Sequence, residues 1–250
     1  MERSYGTNKK QEKIGIKLQD NKIKYPVLKN SIIEKETKKL LNDFIDEKNE
    51  KLSAPIPVFD IIEYLGYDVD FRKDGVYKDK DVLGGTLIDK KIVEINENLS
   101  EHDGRMHFTA AHEVGHIILH VPLYKQNNNK DISDNRIISR KDAGFEGNKK
   151  EPEEWQADKF AAFLLMPSAL IKKAFFKNFK RPINVRKKSI RDFFLRKPAF
   201  IKGYQISEKI IRTGRFNNVS KMAMLNRLIG MGLVKGLSYQ KASPRNKKRS

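Results

Sequence analysis

The stretch RMHFTAAHEVGHIILH, residues 105–120, constrains this chain more than any other part of it. Its apolar residues and alanines recur at helical spacing and no proline interrupts it before Pro122, so it predicts one continuous helix. On that helix His112 and His116 share one face, about 6 Å apart along the axis, and both imidazoles can converge on one ion. Glu113 lies one step round the helix. From there its carboxylate can reach a water at the ion without being a ligand, which is the placement a general base requires. Two neutral imidazoles and a carboxylate suit zinc, which acidifies water and polarises a carbonyl. The pattern predicts one Zn2+ per chain and hydrolysis of a peptide bond.

Five residues alone are a short pattern. All five histidines, His102, His107, His112, His116 and His120, fall in this one region, so a histidine-rich, pH-responsive helix without an ion is the alternative reading. A hydrolytic zinc takes three protein ligands and keeps a fourth position open, so a third ligand is needed. The candidate is Glu154, in a second predicted helix, EPEEWQADKFAAFLL, that opens on Pro152 and closes before Met166-Pro167. Asp158, one turn on, is spaced to accept an N–H from a liganding imidazole. Glu153 on the same helix is a rival, and so is His120 if the first helix bends. The same acids also suit the positive end of a helix with no ion at all.

The rest of the composition narrows the setting. There are no cysteines, which excludes disulfides, thiolate metal sites and a cysteine nucleophile and fits a reducing compartment. The N-terminus MERSYGTNKKQEKIGIK lacks the apolar core of a secretory signal, and no stretch approaches 18 apolar residues. A soluble, cytoplasmic protein with no membrane association is expected. The net charge of +19 is confined to one region: residues 171–250 hold 23 Lys or Arg against only Asp192 and Glu208, whereas residues 1–170 are close to neutral. Such clustering predicts a surface for a polyanion or an acidic partner.

Along the chain, residues 1–28 read as a flexible polar arm. NSIIEKETKKLLNDFIDEKNE predicts an amphipathic helix capped by Ser31, with Glu34 three residues on. PVFDIIEYLG reads as a short helix closed by Gly66, followed by three strands, YDVDFR, GGTLID and KIVEIN, the last two forming a hairpin about Asp89-Lys90-Lys91. Residues 125–150 read as a polar loop. Near the C-terminus, ISEKIIRTGRFNNVSKMAMLNRLIGMGLV places two helices about a turn at Gly214–Val219, with a Ser220 cap and Met222, Leu225, Leu228 and Ile229 on one face. Phe175, Phe176, Phe179, Phe193 and Phe194 are interleaved with the bases and most simply form a core.

From about Asn30 to Pro167 this order, with FTAAHEVGHIILH followed by EPEEWQADKFAAFLLMP, resembles the ImmA/IrrE family of zinc metallopeptidases. The resemblance implies zinc held by His112, His116 and Glu154, with Glu113 as catalytic base. It implies an α+β fold: a helical zincin-like metallopeptidase domain over residues 29–167 with a small three-stranded sheet. A small basic all-helical, helix-turn-helix-like domain at 168–238 and a basic tail at 239–250 follow. It also implies a protein substrate, a specific helix-turn-helix repressor whose cleavage switches on stress-response or mobile-element genes. An extended substrate segment is expected to pair with an edge strand such as GGTLID. The separation of 38 positions from His116 to Glu154 exceeds the family's usual spacing. The competing readings are a DNA-binding regulator, contacting DNA through residues 171–250 with a structural or vestigial zinc site, and a partner-binding module of a toxin–antitoxin type locus.

Overall fold

The computed structural model describes residues 26–76, 79–123, 136–141, 151–186 and 198–238. Helix α1 (Asn30–Lys48) buries Ile33, Leu40, Leu41 and Phe44, the face its periodicity predicts. Its start differs from expectation. Lys29 is the N-cap, no side chain caps the helix, and Ser31 lies inside it. Glu34 does not close a capping box; it reaches Ser168 and Arg227 instead. Helix α2 (Val58–Tyr64) follows, and Gly66, at φ +76°, takes the left-handed turn that leads into the sheet.

Strands β1 (Asp68–Arg72), β2 (Val82–Leu87) and β3 (Ile92–Asn96) are those expected, with β2 and β3 antiparallel about the predicted hairpin and β1 parallel to β3. A fourth strand, β4 (Arg136–Lys141), comes from the segment read as a polar loop and pairs antiparallel with β2, giving the order β1-β3-β2-β4. Sequence periodicity missed it because RIISRK is too short and mixed to alternate clearly, and its place depends on a partner about fifty residues away.

Helix α3 (Asp103–Leu119) carries the histidines and is buried from Thr109 to Ile117 on every side. It lies between the sheet, through β2 and β3, and helix α4 (Pro152–Leu165), with α2 against it as well. The α3–α4 crossing is tight because Gly115 has no side chain. A Cβ there would stand 3.0 Å from the Cα of Ala157 and 3.1 Å from the Cβ of Phe160. A glycine on one helix and an alanine on the other thus let the two backbones approach, just where each carries polar side chains.

Helices α5 (Ser168–Asn178), α6 (Ala199–Gly214) and α7 (Lys221–Gly230) and a two-stranded parallel pair, β5 (Ile183–Asn184) and β6 (Val234–Lys235), complete the described chain. Ser220 caps α7 as predicted, accepting from the Ala223 backbone N–H at 3.1 Å. The buried apolar face is Met224, Leu225 and Leu228, with Met222 only partly covered. Of the five phenylalanines, Phe175 is fully buried, Phe176 is half exposed and Phe179 lies under the Lys209 ammonium; Phe193 and Phe194 lie outside the described residues. One continuous apolar cluster runs from Ile33 through Val114 and Phe160 to Leu228 and Val234.

Arg227 is buried within this core. Its Nε donates to the Met166 carbonyl, its Nη2 bonds Glu34 at 2.7 Å, and its guanidinium stacks over Phe163. Burial would raise the Glu34 carboxyl, but Ser168 and Arg227 more than offset it and hold it below the ordinary range. Among the described residues no helix is long and apolar enough to cross a membrane.

Candidate metal centre

The i,i+4 spacing delivers what it promised. His112 Nε2 and His116 Nε2 stand 3.0 Å apart on the face of α3 that meets α4. Glu154, in the first turn of α4, completes the group: its Oε2 is 3.3 Å from His112 Nε2 and its Oε1 3.2 Å from His116 Nε2. Of the candidates raised from sequence, His112, His116 and Glu154 are the three brought together as a group that could hold an ion. Glu153 is buried but outside this group, and His120, one turn beyond His116, is also outside it.

Three observations fit a metal ion. First, ligands on a tetrahedral zinc with arms of about 2.0–2.1 Å are spaced by about 3.3 Å, close to the triangle seen here. Second, Asp158 Oδ1 lies 3.0 Å from His112 Nδ1. A carboxylate accepts only, so the His112 proton sits on Nδ1 and a bare lone pair on Nε2 faces its neighbours. Third, both histidines are fully buried and the Glu154 side chain is 20% exposed, so lone pairs and a carboxylate converge with little water among them, an arrangement that repels itself unless a cation lies between them.

The electrostatics agree. Burial pushes the His116 imidazole below its ordinary pKa, keeping it neutral as a ligand must be. His120 is pushed down to about 3 by burial, with the neighbouring His116 adding to the effect.

Glu113, one residue on from His112, meets the sheet. The Thr86 hydroxyl on β2 donates to its Oε2 at 2.9 Å, and both residues are fully buried. The strand can come this close because residue 84 is glycine: a Cβ there would stand 2.5 Å from Thr109 Cγ2 and 3.2 Å from Glu113 Oε1. Thr86 was not legible as a site residue, since nothing in GGTLID says which of its side chains faces α3. The sheet also corrects the expectation that GGTLID is an edge strand. β2 is flanked by β3 and β4, so an extended peptide pairs with β2 only by displacing β4.

Comparison with known proteins agrees with this geometry. Residues 62–181 match the family model for the IrrE N-terminal-like domain, Peptidase_M78. No curated protein matches the chain. The matched span leaves α1 outside and takes in α5, which shifts the resemblance toward the C-terminus by some 15–30 residues at either end. Matched span and metal-ligand group coincide: residues 62–181 of this chain are an IrrE N-terminal-like domain of the ImmA/IrrE family, a metallopeptidase family.

Proposed function

We propose that the chain is a zinc-dependent endopeptidase of the cytoplasm that cleaves a specific helix-turn-helix repressor and so releases stress-response or mobile-element genes. The observation that carries this reading is the convergence of His112, His116 and Glu154, with the Glu113 carboxylate held by Thr86 on the next face of the same helix. A zinc ion in that triangle would supply Lewis acidity, polarising the scissile carbonyl and acidifying water.

The protein's own groups do the rest. Glu113 takes a proton from the attacking water as its oxygen bonds to the carbonyl carbon, and returns that proton to the departing amine as the C–N bond breaks. The Thr86 hydroxyl fixes the carboxylate so that this transfer needs no side-chain search. Asp158 orients His112 through Nδ1. The surrounding core keeps bulk water from the carboxylate and imidazoles, so their interactions stay strong.

The substrate assignment rests on the family and on the basic C-terminal region, whose bases stand outward: Lys172, Lys173, Lys177 and Arg181 around α5, Lys209, Arg212 and Arg215 around α6. We propose that this surface recruits the enzyme to the repressor or to its operator DNA. The rival reading, a DNA-binding regulator, draws on the same charge but has less support. The N-terminus of α7, the end a recognition helix presents to a groove, abuts α3, with Gly104 against Ser220; its Arg227 is turned into the core.

The decisive experiment incubates the protein, the chelated protein and a Glu113→Gln variant with the repressor encoded beside its gene. Cleavage by the first alone is expected. Equal cleavage by Glu113→Gln would remove Glu113 as the base, and DNA binding with no cleavage by any form would favour the rival.

A further inference from the structure

The two sides of β2 are held very differently. Toward β3 the register is unbroken, with Gly84, Gly85, Thr86 and Leu87 opposite Ile95, Glu94, Val93 and Ile92. Asn96, at the end of β3, ties the pair further, its Nδ2 donating to the Val82 carbonyl at 2.9 Å and to the Lys80 carbonyl at 3.1 Å. Toward β4 the register breaks twice, between Val82 and Gly84 and again between Gly84 and Thr86. Gly84 stands at both breaks and Gly85 within the second. A glycine-rich strand specifies its partner's register weakly, so exchanging one partner for another on that side costs little.

The weakly held side bears directly on the site. β2 anchors the Glu113 carboxylate through Thr86, and the residue opposite Thr86 in the outer ladder is Ile137 of β4. Main-chain groups of β2 are therefore well placed to position an extended peptide beside Glu113, and β4 already occupies them. His112, Glu113 and His116 are meanwhile fully buried, so a peptide carbonyl reaches them only when a covering element moves. Helix α4 is locked against α3 by the Gly115 contact and β3 by its continuous ladder, whereas β4 is held across a broken one.

We propose that β4 is an internal occupant of the substrate's strand position: the protein covers its own docking edge, and an extended segment of the substrate exchanges with β4 on β2 before it is cut. β4 then acts as an intramolecular competitor. It lowers apparent substrate affinity by the fraction of molecules in which β2 is covered and leaves the chemical step alone. The proposal rests on the metallopeptidase reading above, since it supplies the edge on which that enzyme's substrate would pair.

The test uses the full, zinc-loaded chain and the repressor encoded beside its gene. Positions 87 and 136 stand opposite in the register, the spacing a cross-strand disulfide needs, and the chain has no other cysteine to interfere. Oxidised Leu87→Cys/Arg136→Cys, with β4 locked on β2, should cleave more than about 10-fold slower than the same protein reduced with a phosphine. Ile137→Pro/Ile138→Pro should loosen β4 and lower KM by about 5-fold or more with kcat unchanged, the factor one ladder hydrogen bond is worth. Hydrogen exchange on zinc-loaded Glu113→Gln gives a readout apart from turnover: on adding the repressor, β4 amides should lose protection while β2 amides keep theirs. Equal cleavage by the oxidised and reduced forms overturns the proposal and leaves the metallopeptidase reading intact. So does a KM that stays or rises in a folded proline variant, or β4 protection that holds or grows with the repressor, which would make β4 itself the docking strand. No cleavage by wild type or by the reduced cysteine pair overturns both.

Discussion

The two ends of this molecule handle charge in opposite ways. Around α3 and α4 the ionisable groups are buried or mostly covered and face one another, His112, His116 and Glu154 across gaps of 3.0 to 3.3 Å, with Asp158 on His112 and Glu113 held by Thr86. Around α5 and α6 the bases are exposed and the space between the helices is filled by Phe175, Ile206 and Ile210. Buried groups perturb one another strongly because little water screens them, and so acquire protonation states suited to chemistry. Exposed bases are screened by water and salt, so their attraction for a polyanion weakens as ionic strength rises.

The contrast is best broken at its strongest point. Glu113→Gln keeps the hydrogen bond capacity toward Thr86 but removes the base, so the cleavage rate should fall by about 10²- to 10⁴-fold with zinc content unchanged, as single-turnover assays and metal analysis would show. A smaller fall would mean that the buried carboxylate is not what reacts. Gly115→Val drives a side chain into Ala157 and Phe160; calorimetry should find a loss of about 1–3 kcal/mol or more, and zinc binding should weaken with it as the two ligand helices part.

Arg227→Met sharpens the comparison, since it removes the one charge of α7 that behaves like the metal centre rather than like the basic surface. It leaves the Met166 carbonyl and Glu34 without their donor and should cost about 2 kcal/mol in urea unfolding, the range for hydrogen bonds to charged groups. Its partner gives a pH signature. Glu34 has a folded pKa below its unfolded one, so its contribution is fully present above the unfolded value of about 4.3 and is lost as pH falls through the lower folded value. Glu34→Gln should flatten stability against pH below that point and change little of the slope at neutrality. The smallest effect on stability belongs to the outer bases. Reversing Lys172, Lys173 and Lys177 to Glu should shift unfolding by less than about 0.5 kcal/mol, yet reduce both the binding of a polyanion and its dependence on salt.

Sequence reading went furthest where a pattern closes within one or two helical turns. His112 and His116 four apart, Ser220 before α7, the hairpin about Lys91 and the apolar face of α1 all follow from local periodicity or local hydrogen bonding, and the fold reproduces them. It failed where a residue had two uses open to it. Ser31 and Glu34 have the spacing of a capping box, but Glu34 gains more from a buried guanidinium 193 residues away. The segment carrying β4 is polar enough to be a loop, and it became a strand because β2 offered an unpaired edge.

What the sequence determined by itself was the helix that sets His112 and His116 side by side and the kinds of group able to hold an ion there, because helical geometry fixes which side chains share a face and the absence of cysteine leaves only histidine and carboxylate as ligands. What only the tertiary structure decided was which partners those groups meet: Glu154 rather than Glu153 beside the two histidines, Asp158 on His112 across 46 residues, Thr86 on Glu113 across 27, and His120 as a neighbour of the three-residue group instead of a member of it. Those choices depend on how closely α3, α4 and β2 approach. That approach is set by the missing side chains of Gly115 and Gly84, and periodicity cannot show it.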